Sequence, residues 1–357
     1  MLEDATRFKR TYSRHEKSRH LKSLEVDWNR LYESNPHLSP YQSYSFNLAV
    51  RSVTRLSPRR YNLTPVFFVF YGLQGEARLI APLYVRKARN GTKVYLFTDF
   101  MPAGYSDLIY SPDLTQQEFD VALSVIATEL GNPMFLFRKV NQQSLLNQFL
   151  RCSNYDMHDI GRQTCVEIPR MSSYGKYWES LSKSTRQSIR TSINRLEREG
   201  YAWEVKLIQG EPLSSSTMRT LMDIYFKRYS QRGYRGLRSR LLAFSKRYLN
   251  PVTRALQHSD ESFCAILEIE GTPAAFCAGF ERQGGRLVIP FLSIDCDWGR
   301  YSPGGLLITE IMEWLHEQKM HSSLDLSRGG EKYKYRYGGK DHFNYNYEFR
   351  IRKETRR

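Results

Sequence analysis

The sequence predicts an α/β (α+β) protein with two tandem domains, each a mixed, mostly antiparallel sheet flanked by helices. Three observations support this prediction. The chain has 357 residues, which suits two domains of ordinary size. Hydrophobic residues make up 41% and aromatic residues 13% of it, enough to bury two cores. Finally, one order of strands and helices occurs twice along the chain. We place the domains at residues 1–165 and 166–357.

The first copy of this order begins with short, largely apolar segments bounded by turns, which predict strands. Three strands are expected at residues 65–71, 77–86 and 93–98, separated by the turns Gln74-Gly75 and Asn90-Gly91. A helical pattern over 115–130 and a strand over 134–140 follow, and residues 159–169 close the domain.

The second copy repeats that order. Strands are expected at residues 262–269, 274–282 and 286–294, then a helix over 304–318 and a strand over 323–326. Before them, helical patterns cover residues 183–199, 216–228 and 238–249. An antiparallel meander followed by a helix and another strand is the central order of the GNAT acyltransferase fold, so its repetition indicates duplication.

The charge of the chain favours anionic partners. It contains 53 Lys and Arg against 37 Asp and Glu, a net charge of +16. Such a balance raises the local concentration of nucleic acid, anionic membrane, nucleotide-linked substrate or pyrophosphate cofactor, without selecting among them.

The five cysteines lack paired metal spacing and lie mostly among apolar residues, which is typical of buried thiols in a reducing compartment. The first residues lack the apolar core of a signal peptide. We therefore expect a cytoplasmic protein that can touch a membrane surface, with no metal site.

The first candidate site is the glycine-rich helix start near residue 304. Ser302 is expected to be the N-cap and Pro303 the first helical residue. Gly304 and Gly305 would leave backbone N–H groups open to a phosphate or carboxylate, with Arg300 and Tyr301 beside them. The alternative is a capped helix without a ligand.

The second candidate site follows the strand that ends near Asp325. Its carboxylate could orient or deprotonate an acceptor amine, and Tyr333 or Lys334 could offset negative charge on a carbonyl or phosphate. Arg328 and Gly329 are the expected substrate contacts, because the glycine permits close approach. A structural Asp that caps the turn is the alternative.

The third candidate site is the basic helix predicted over residues 183–199. Arg186 and Arg190 lie four residues apart and share a face, so they could hold a diphosphate or carboxylate by bidentate contacts. A solvated basic helix is the ordinary alternative.

Several of these motifs resemble segments of FemABX-type peptidyltransferases and of CelD-like (cellulose-biosynthesis-associated) acetyltransferases. The basic run at 183–200 is similar to the segment that opens their second acyltransferase domain. Tyr301-Ser302-Pro303-Gly304 is similar to their Y-S-P-G helix start, and the run from Asp325 to Lys334 to their D-F-x-x-G-x-x-x-Y-K motif, with Leu326 in place of Phe. A segment near the N-terminus, Trp28-Asn29-Arg30-Leu31 with Pro40-Tyr41-Gln42-Ser43, extends the resemblance over nearly the whole chain.

The resemblance implies a tandem GNAT-type transferase that moves an acyl group onto an amine or hydroxyl of a polysaccharide, lipid or cell-envelope precursor. Acyl-CoA is the expected donor, since the helical hairpin that Fem enzymes often insert in the second domain is not evident in the sequence. Aminoacyl-tRNA is the alternative donor, which the net charge of +16 favours. The first domain is expected to be structural or one wall of an acceptor cleft.

Two features limit this hypothesis. The usual GNAT pyrophosphate signature has its first glycine where this sequence has Pro303. The placement of CoA would therefore differ from the standard one. A non-catalytic module that binds an anionic glycan, lipid or RNA would also suit the basic charge. The transferase hypothesis requires that Gly304 and Asp325 face one crevice.

Overall fold

A computed structural model describes residues 11–16, 19–56, 62–231, 250–282, 284–319 and 322–351. The chain divides into two compact units. The first contains residues 1–163 together with 343–357, and the second contains residues 164–342. Residues 343–357, which the sequence analysis placed with the second domain, therefore lie in the first unit. The helix expected at 238–249 falls outside the described residues.

The first unit is a mixed sheet with helices beside it. Its strands are β1 (Tyr12–His15), β2 (Thr64–Tyr71), β3 (Ala77–Ala88), β4 (Gly91–Leu96), β5 (Ile109–Tyr110) and β6 (Met134–Asn141). Its helices are α1 (Arg19–Ser23), α2 (Glu25–Ser34), α3 (Tyr44–Leu56), α4 (Gln116–Glu129) and α5 (Leu145–Cys152). The strand order is β1-β2-β3-β4-β6, followed by β13, and β5 pairs with β3.

The second unit has the same kind of sheet. Its strands are β8 (Trp203–Gln209), β9 (Ser262–Ile269), β10 (Thr272–Phe280), β11 (Arg286–Ile294) and β12 (Ser323–Arg328). Its helices are α6 (Tyr174–Ser180), α7 (Lys183–Arg198), α8 (Ser215–Gln231), α9 (Pro251–Leu256), α10 (Pro303–Gln318) and α11 (Lys332–Arg336). β7 (Asp156–Pro169) and β13 (Lys340–Arg350) each have residues in both units, and the strand order is β7-β12-β11-β10-β9-β8.

The core of the second unit lies between this sheet and α10. Leu324 and Leu326 of β12 and Leu287 and Ile289 of β11 pack there with the apolar face of α10. Because side chains alternate across a strand, Asp325 points to the opposite face of the sheet. Successive side chains of β12 thus point alternately to an apolar face and to a polar face of the sheet.

The predicted fold class is confirmed, and the predicted strands of both copies are present within about two residues of their expected ends. Ten elements had not been predicted: α1, α2, α3, α5, α9, α11, β1, β5, β8 and β13. The helices in the described parts of the chain are all too short or too polar to cross a lipid bilayer.

Candidate functional site

The sheet of the second unit opens between β11 and β12. The two strands pair in parallel over only three residues, from Arg286–Ser323 to Val288–Asp325. β11 continues to Ile294 and β12 to Arg328 without further pairing between them. Neighbouring parallel strands that separate at their carboxyl ends form a crevice where ligands commonly bind.

A β-bulge lies beside this opening. Ala278 of β10 pairs with Phe291 of β11, whereas Phe280 pairs with Val288, so β11 has one residue more than its partner. A Cβ atom at Gly279 would lie 1.9 Å from the carbonyl oxygen of Val288, so only glycine fits there. The bulge redirects β11 where it leaves β12.

The start of α10 follows β11. Ser302 is the N-cap and Pro303 the first helical residue, as predicted. The Ser302 side chain makes no capping hydrogen bond, since its backbone is left-handed (φ 49°) rather than extended as at ordinary N-caps. Pro303 has no amide hydrogen, so the first backbone N–H donor of α10 belongs to Gly304. No side chain caps this end of the helix, where the helix dipole is positive.

Tyr337, which the sequence analysis had not singled out, meets this helix start. A Cβ atom at Gly305 would lie 2.0 Å from the Tyr337 hydroxyl oxygen, so the glycine allows the phenol to approach α10. Burial raises the pKa of Tyr337, which keeps the phenol protonated and able to donate a hydrogen bond. Residues 305 and 337 are far apart along the chain and no local pattern relates them, so this contact could not be predicted from the sequence.

Arg300 and Tyr301 are bound to the end of α7. The Arg300 guanidinium lies 2.6 Å from the Glu199 carboxylate and over the Tyr301 ring, and the buried Tyr301 donates its hydroxyl hydrogen to Glu199. Arg195 donates to the Arg300 carbonyl. The predicted anion ligand Arg300 is therefore already paired with a carboxylate, and a phosphate would have to compete with Glu199 for it.

Asp325 is fully buried and belongs to a charged cluster. Its carboxylate lies 3.6 Å from Arg286 and 4.0 Å from His342, and it accepts a hydrogen bond from the Ser327 N–H at 2.7 Å. The backbone of Asp325 is at the point where β11 and β12 separate, but its side chain points away from α10. Gly304 and the Asp325 carboxylate therefore adjoin this opening from opposite faces of the sheet, and not from one side as the sequence analysis expected. The catalytic role of Asp325 stays a prediction.

Lys334 holds the end of β12. Its ammonium is almost fully buried and donates to the carbonyls of Ser327, Arg328 and Gly329 at 2.8–3.3 Å. Gly329 also donates its N–H to Thr164. Tyr333, on the same helix as Lys334, is exposed, and Arg328 is half-buried beside Cys165. Lys334 thus fixes the loop that was expected to contact substrate.

Arg186 and Arg190 contact the neighbouring helix α6. Arg186 donates to the carbonyl of Glu179 at 2.8 Å, and Arg190 lies over the Trp178 ring. The two side chains share a face as predicted, but both are engaged by the end of α6. Their role in holding a diphosphate or carboxylate stays a prediction.

A cleft of about 380 Å³ adjoins α11. It is lined by the end of α6, the start of α7, the end of α11 and the turn that follows α11: Ser180, Leu181, Ser182, Ser184, Thr185, Tyr335, Arg336 and Gly338. The lining is polar and carries one guanidinium.

Residues 183–335 match the model of the acetyltransferase (GNAT) domain family. This match covers α7 to α11 and includes both the opening between β11 and β12 and the start of α10. No curated protein matches the chain. This part of the second unit is thus similar to GNAT-type acetyltransferase domains.

Solved structures with the same fold cover nearly the whole chain. FemX has 9% identity and a TM-score of 0.62 over 95% of this chain and 97% of its own. A conserved protein of unknown function from Bacteroides thetaiotaomicron has 12% identity and a TM-score of 0.53, covering 96% and 100%. The C-terminal domain of a putative lysylphosphatidylglycerol synthetase from Agrobacterium fabrum has 10% identity and a TM-score of 0.52, covering 92% of each.

At these identities the similarity concerns the fold. The GNAT part of the prediction is therefore supported, and a specific relation to CelD-like enzymes stays a prediction.

Within the described residues, no group of three or more His, Cys, Asp or Glu side chains is placed to hold a metal ion.

Proposed function

We propose that this protein is an acyltransferase that moves an acyl group from acyl-CoA onto an amine or hydroxyl of a polysaccharide, lipid or cell-envelope precursor. The observation that carries this proposal is the separation of β11 from β12 in the strand that precedes α10, together with a start of α10 that has no side-chain cap. A crevice between parallel strands and an adjacent positive helix end suit an extended donor with a phosphate group.

The donor would lie on the α10 side of the sheet. The Gly304 N–H and the positive end of the α10 dipole favour its diphosphate. Tyr337, whose hydroxyl lies against Gly305, would donate a hydrogen bond to the sulfur that leaves as a thiolate. Arg336 and the hydroxyl groups of the cleft are suited to a further polar or phosphorylated part of the donor.

The acceptor would attack from the opposite side of the sheet. There the charged cluster of Asp325 and its neighbours contains two carboxylates and one guanidinium. Such a cluster favours an amine or hydroxyl over another anion near the reacting carbonyl. A carbohydrate or lipid-linked acceptor is the expectation that the resemblance adds.

Aminoacyl-tRNA is the second candidate donor. The net charge of +16 favours it, because a nucleic acid backbone is neutralised by many Lys and Arg side chains. Its affinity would fall steeply with salt, whereas the affinity for a small thioester would fall only slightly.

Thermal unfolding in the presence of candidate donors tests the proposal. We expect acetyl-CoA and free CoA to raise the Tm, because a ligand that binds the native state stabilises it by about 2.7 kcal/mol at one hundred times its Kd. A shift with charged tRNA only, lost between 50 and 200 mM salt, would support the second donor. If neither class shifts the Tm, a non-catalytic module for an anionic glycan, lipid or RNA becomes the better account.

A further inference from the structure

The polar face of the second unit carries a cluster that extends over four strands. β7, β11, β12 and β13 contribute side chains that lie on the side of the sheet opposite α10. The members are Cys165, Glu167, Arg286, Ser323, Asp325 and His342.

Within this cluster the buried and exposed residues form two layers. The Asp325 and His342 side chains are 0% and 1% exposed. Arg286 and Glu167 are each 20% exposed. The outer pair therefore connects the inner pair with the protein surface.

The distances show how the layers are coupled. Arg286 lies 3.3 Å from Glu167 and 3.6 Å from Asp325, and Ser323 donates to Glu167 at 3.1 Å. The His342 Nε2 atom is 4.0 Å from the Asp325 Oδ2 atom. That separation is about 1 Å too long for a hydrogen bond, so a small side-chain rotation would close it.

The charges in the cluster define its resting state. Burial lowers the pKa of His342, which outweighs the raising effect of Asp325, so the imidazole is neutral near pH 7. Glu167 and Asp341 also raise the pKa of this imidazole, and Arg286 lowers it. A neutral imidazole beside a buried carboxylate can accept a proton and remain paired with the carboxylate afterwards.

We propose that Asp325 and His342 form a proton-relay pair in which His342 receives the proton that Asp325 takes from the acceptor. This inference rests on the proposed acyltransferase function. The acceptor nitrogen or oxygen forms a bond to the acyl carbon, and the carbon–sulfur bond breaks with its electron pair on sulfur. The acceptor proton passes to the Asp325 carboxylate and then to His342 Nε2, which leaves an imidazolium beside a carboxylate. His342 is accordingly a positioning residue that acts through Asp325.

A direct test is an NMR titration of the His342 ring in the wild type and in Asp325→Asn. Loss of the carboxylate removes an interaction that favours the imidazolium, so His342 should titrate at lower pH in the variant. His316 is the matched control. It is also buried, but it accepts a hydrogen bond from the Met171 N–H and contacts the Met312 carbonyl, so the substitution at Asp325 should leave its ring signals unchanged.

The kinetic test uses His342→Gln, with His316→Gln as its control. We expect kcat to fall about 100-fold in His342→Gln, while the KM for the donor is unchanged. The decrease of kcat at low pH that the wild type shows should be absent from the pH profile of this variant. His316→Gln should keep the wild-type pH profile even if it is less stable. A merely structural role for His342 would leave the profile in place.

The two tests separate this inference from the proposed function. A His342 titration that is identical in the wild type and Asp325→Asn, including no titration in either, would overturn the relay even if acyl transfer is observed. If no acyl transfer is found with any donor, the proposed function fails, whereas the NMR result still decides whether the pair is coupled.

Discussion

At the scale of single residues, Lys334 has the most fully defined contacts in the candidate site. Its buried ammonium donates to three consecutive carbonyls at the end of β12 and lies 3.0 Å from Glu331. Lys334 therefore supports the loop that bears Arg328 and Gly329, whatever it contributes to catalysis.

Replacement of Lys334 by Met should reduce the stability of the second unit by about 2–4 kcal/mol, because buried carbonyls would lose a charged donor. Urea unfolding measures the effect. Lys332→Met is the control, since Lys332 is exposed on the same helix and should change stability by less than about 0.5 kcal/mol. Equal stability of the two variants would mean that the Lys334 contacts are not structural.

At the scale of elements, the bulge between β10 and β11 determines where the crevice opens. Gly279 faces the Val288 carbonyl, and Val288 is the last residue of β11 that pairs with β12. A backbone atom cannot move aside as the end of a side chain can, so an added Cβ must displace β11 itself. The geometry of the crevice thus depends on a residue that carries no functional group.

Gly279→Ala should destabilise the second unit by more than about 2 kcal/mol and weaken donor binding, since the clash shifts β11. Gly299→Ala is the matched control, because a Cβ atom at Gly299 would meet no atom within 4 Å. Thermal unfolding and donor titration of both variants are the measurements. Wild-type binding by Gly279→Ala would show that the bulge does not shape the site.

The sequence predicted most elements because their patterns are local. Short, largely apolar segments bounded by turns define β9 to β12, and Ser302-Pro303 marks the start of α10. It could not predict that Arg300 pairs with Glu199, 101 residues away, since a charge pattern does not reveal its partner. For the same reason it could not show that Asp325 is buried beside His342 or that Tyr337 reaches Gly305.

At the scale of the whole molecule, both units contain a short pair of parallel strands. β4 and β6 pair in parallel over three residues, as β11 and β12 do. In the first unit, however, the segment after β4 is buried, and Lys139 donates to the carbonyls of Thr98 and Met101 within it. This packing is what a structural first unit would have, and its functional role stays a prediction.

The buried segment of the first unit makes stability depend on pH. Burial raises the pKa of Asp107 to about 8, although the carboxylate accepts hydrogen bonds from the Leu108 N–H and the Tyr110 hydroxyl. A raised carboxyl pKa stabilises the fold at low pH, and this contribution is lost as the pH rises towards 8. The loss should be about 1.4 kcal/mol per pH unit between roughly pH 4 and 8.

Asp107→Asn should therefore be more stable than the wild type at pH 8.5 and similar to it below about pH 4, because Asn resembles the protonated acid. Hydrogen exchange of the Leu108 and Ile109 amides at several pH values reports on this unit, after correction for intrinsic exchange. Parallel pH profiles for the two proteins would indicate that Asp107 is ionised in the native state.

The most direct test of the central claim compares CoA and acetyl-CoA binding to Ser302→Asp and Ser302→Asn by isothermal titration. Ser302 is exposed and left-handed, a conformation that Asp and Asn both tolerate, so both variants should fold. If the donor phosphates lie at the start of α10, the added carboxylate should weaken binding at least tenfold, while Asn binds like the wild type. Equal affinities of the two variants would contradict the placement of the donor at this helix start.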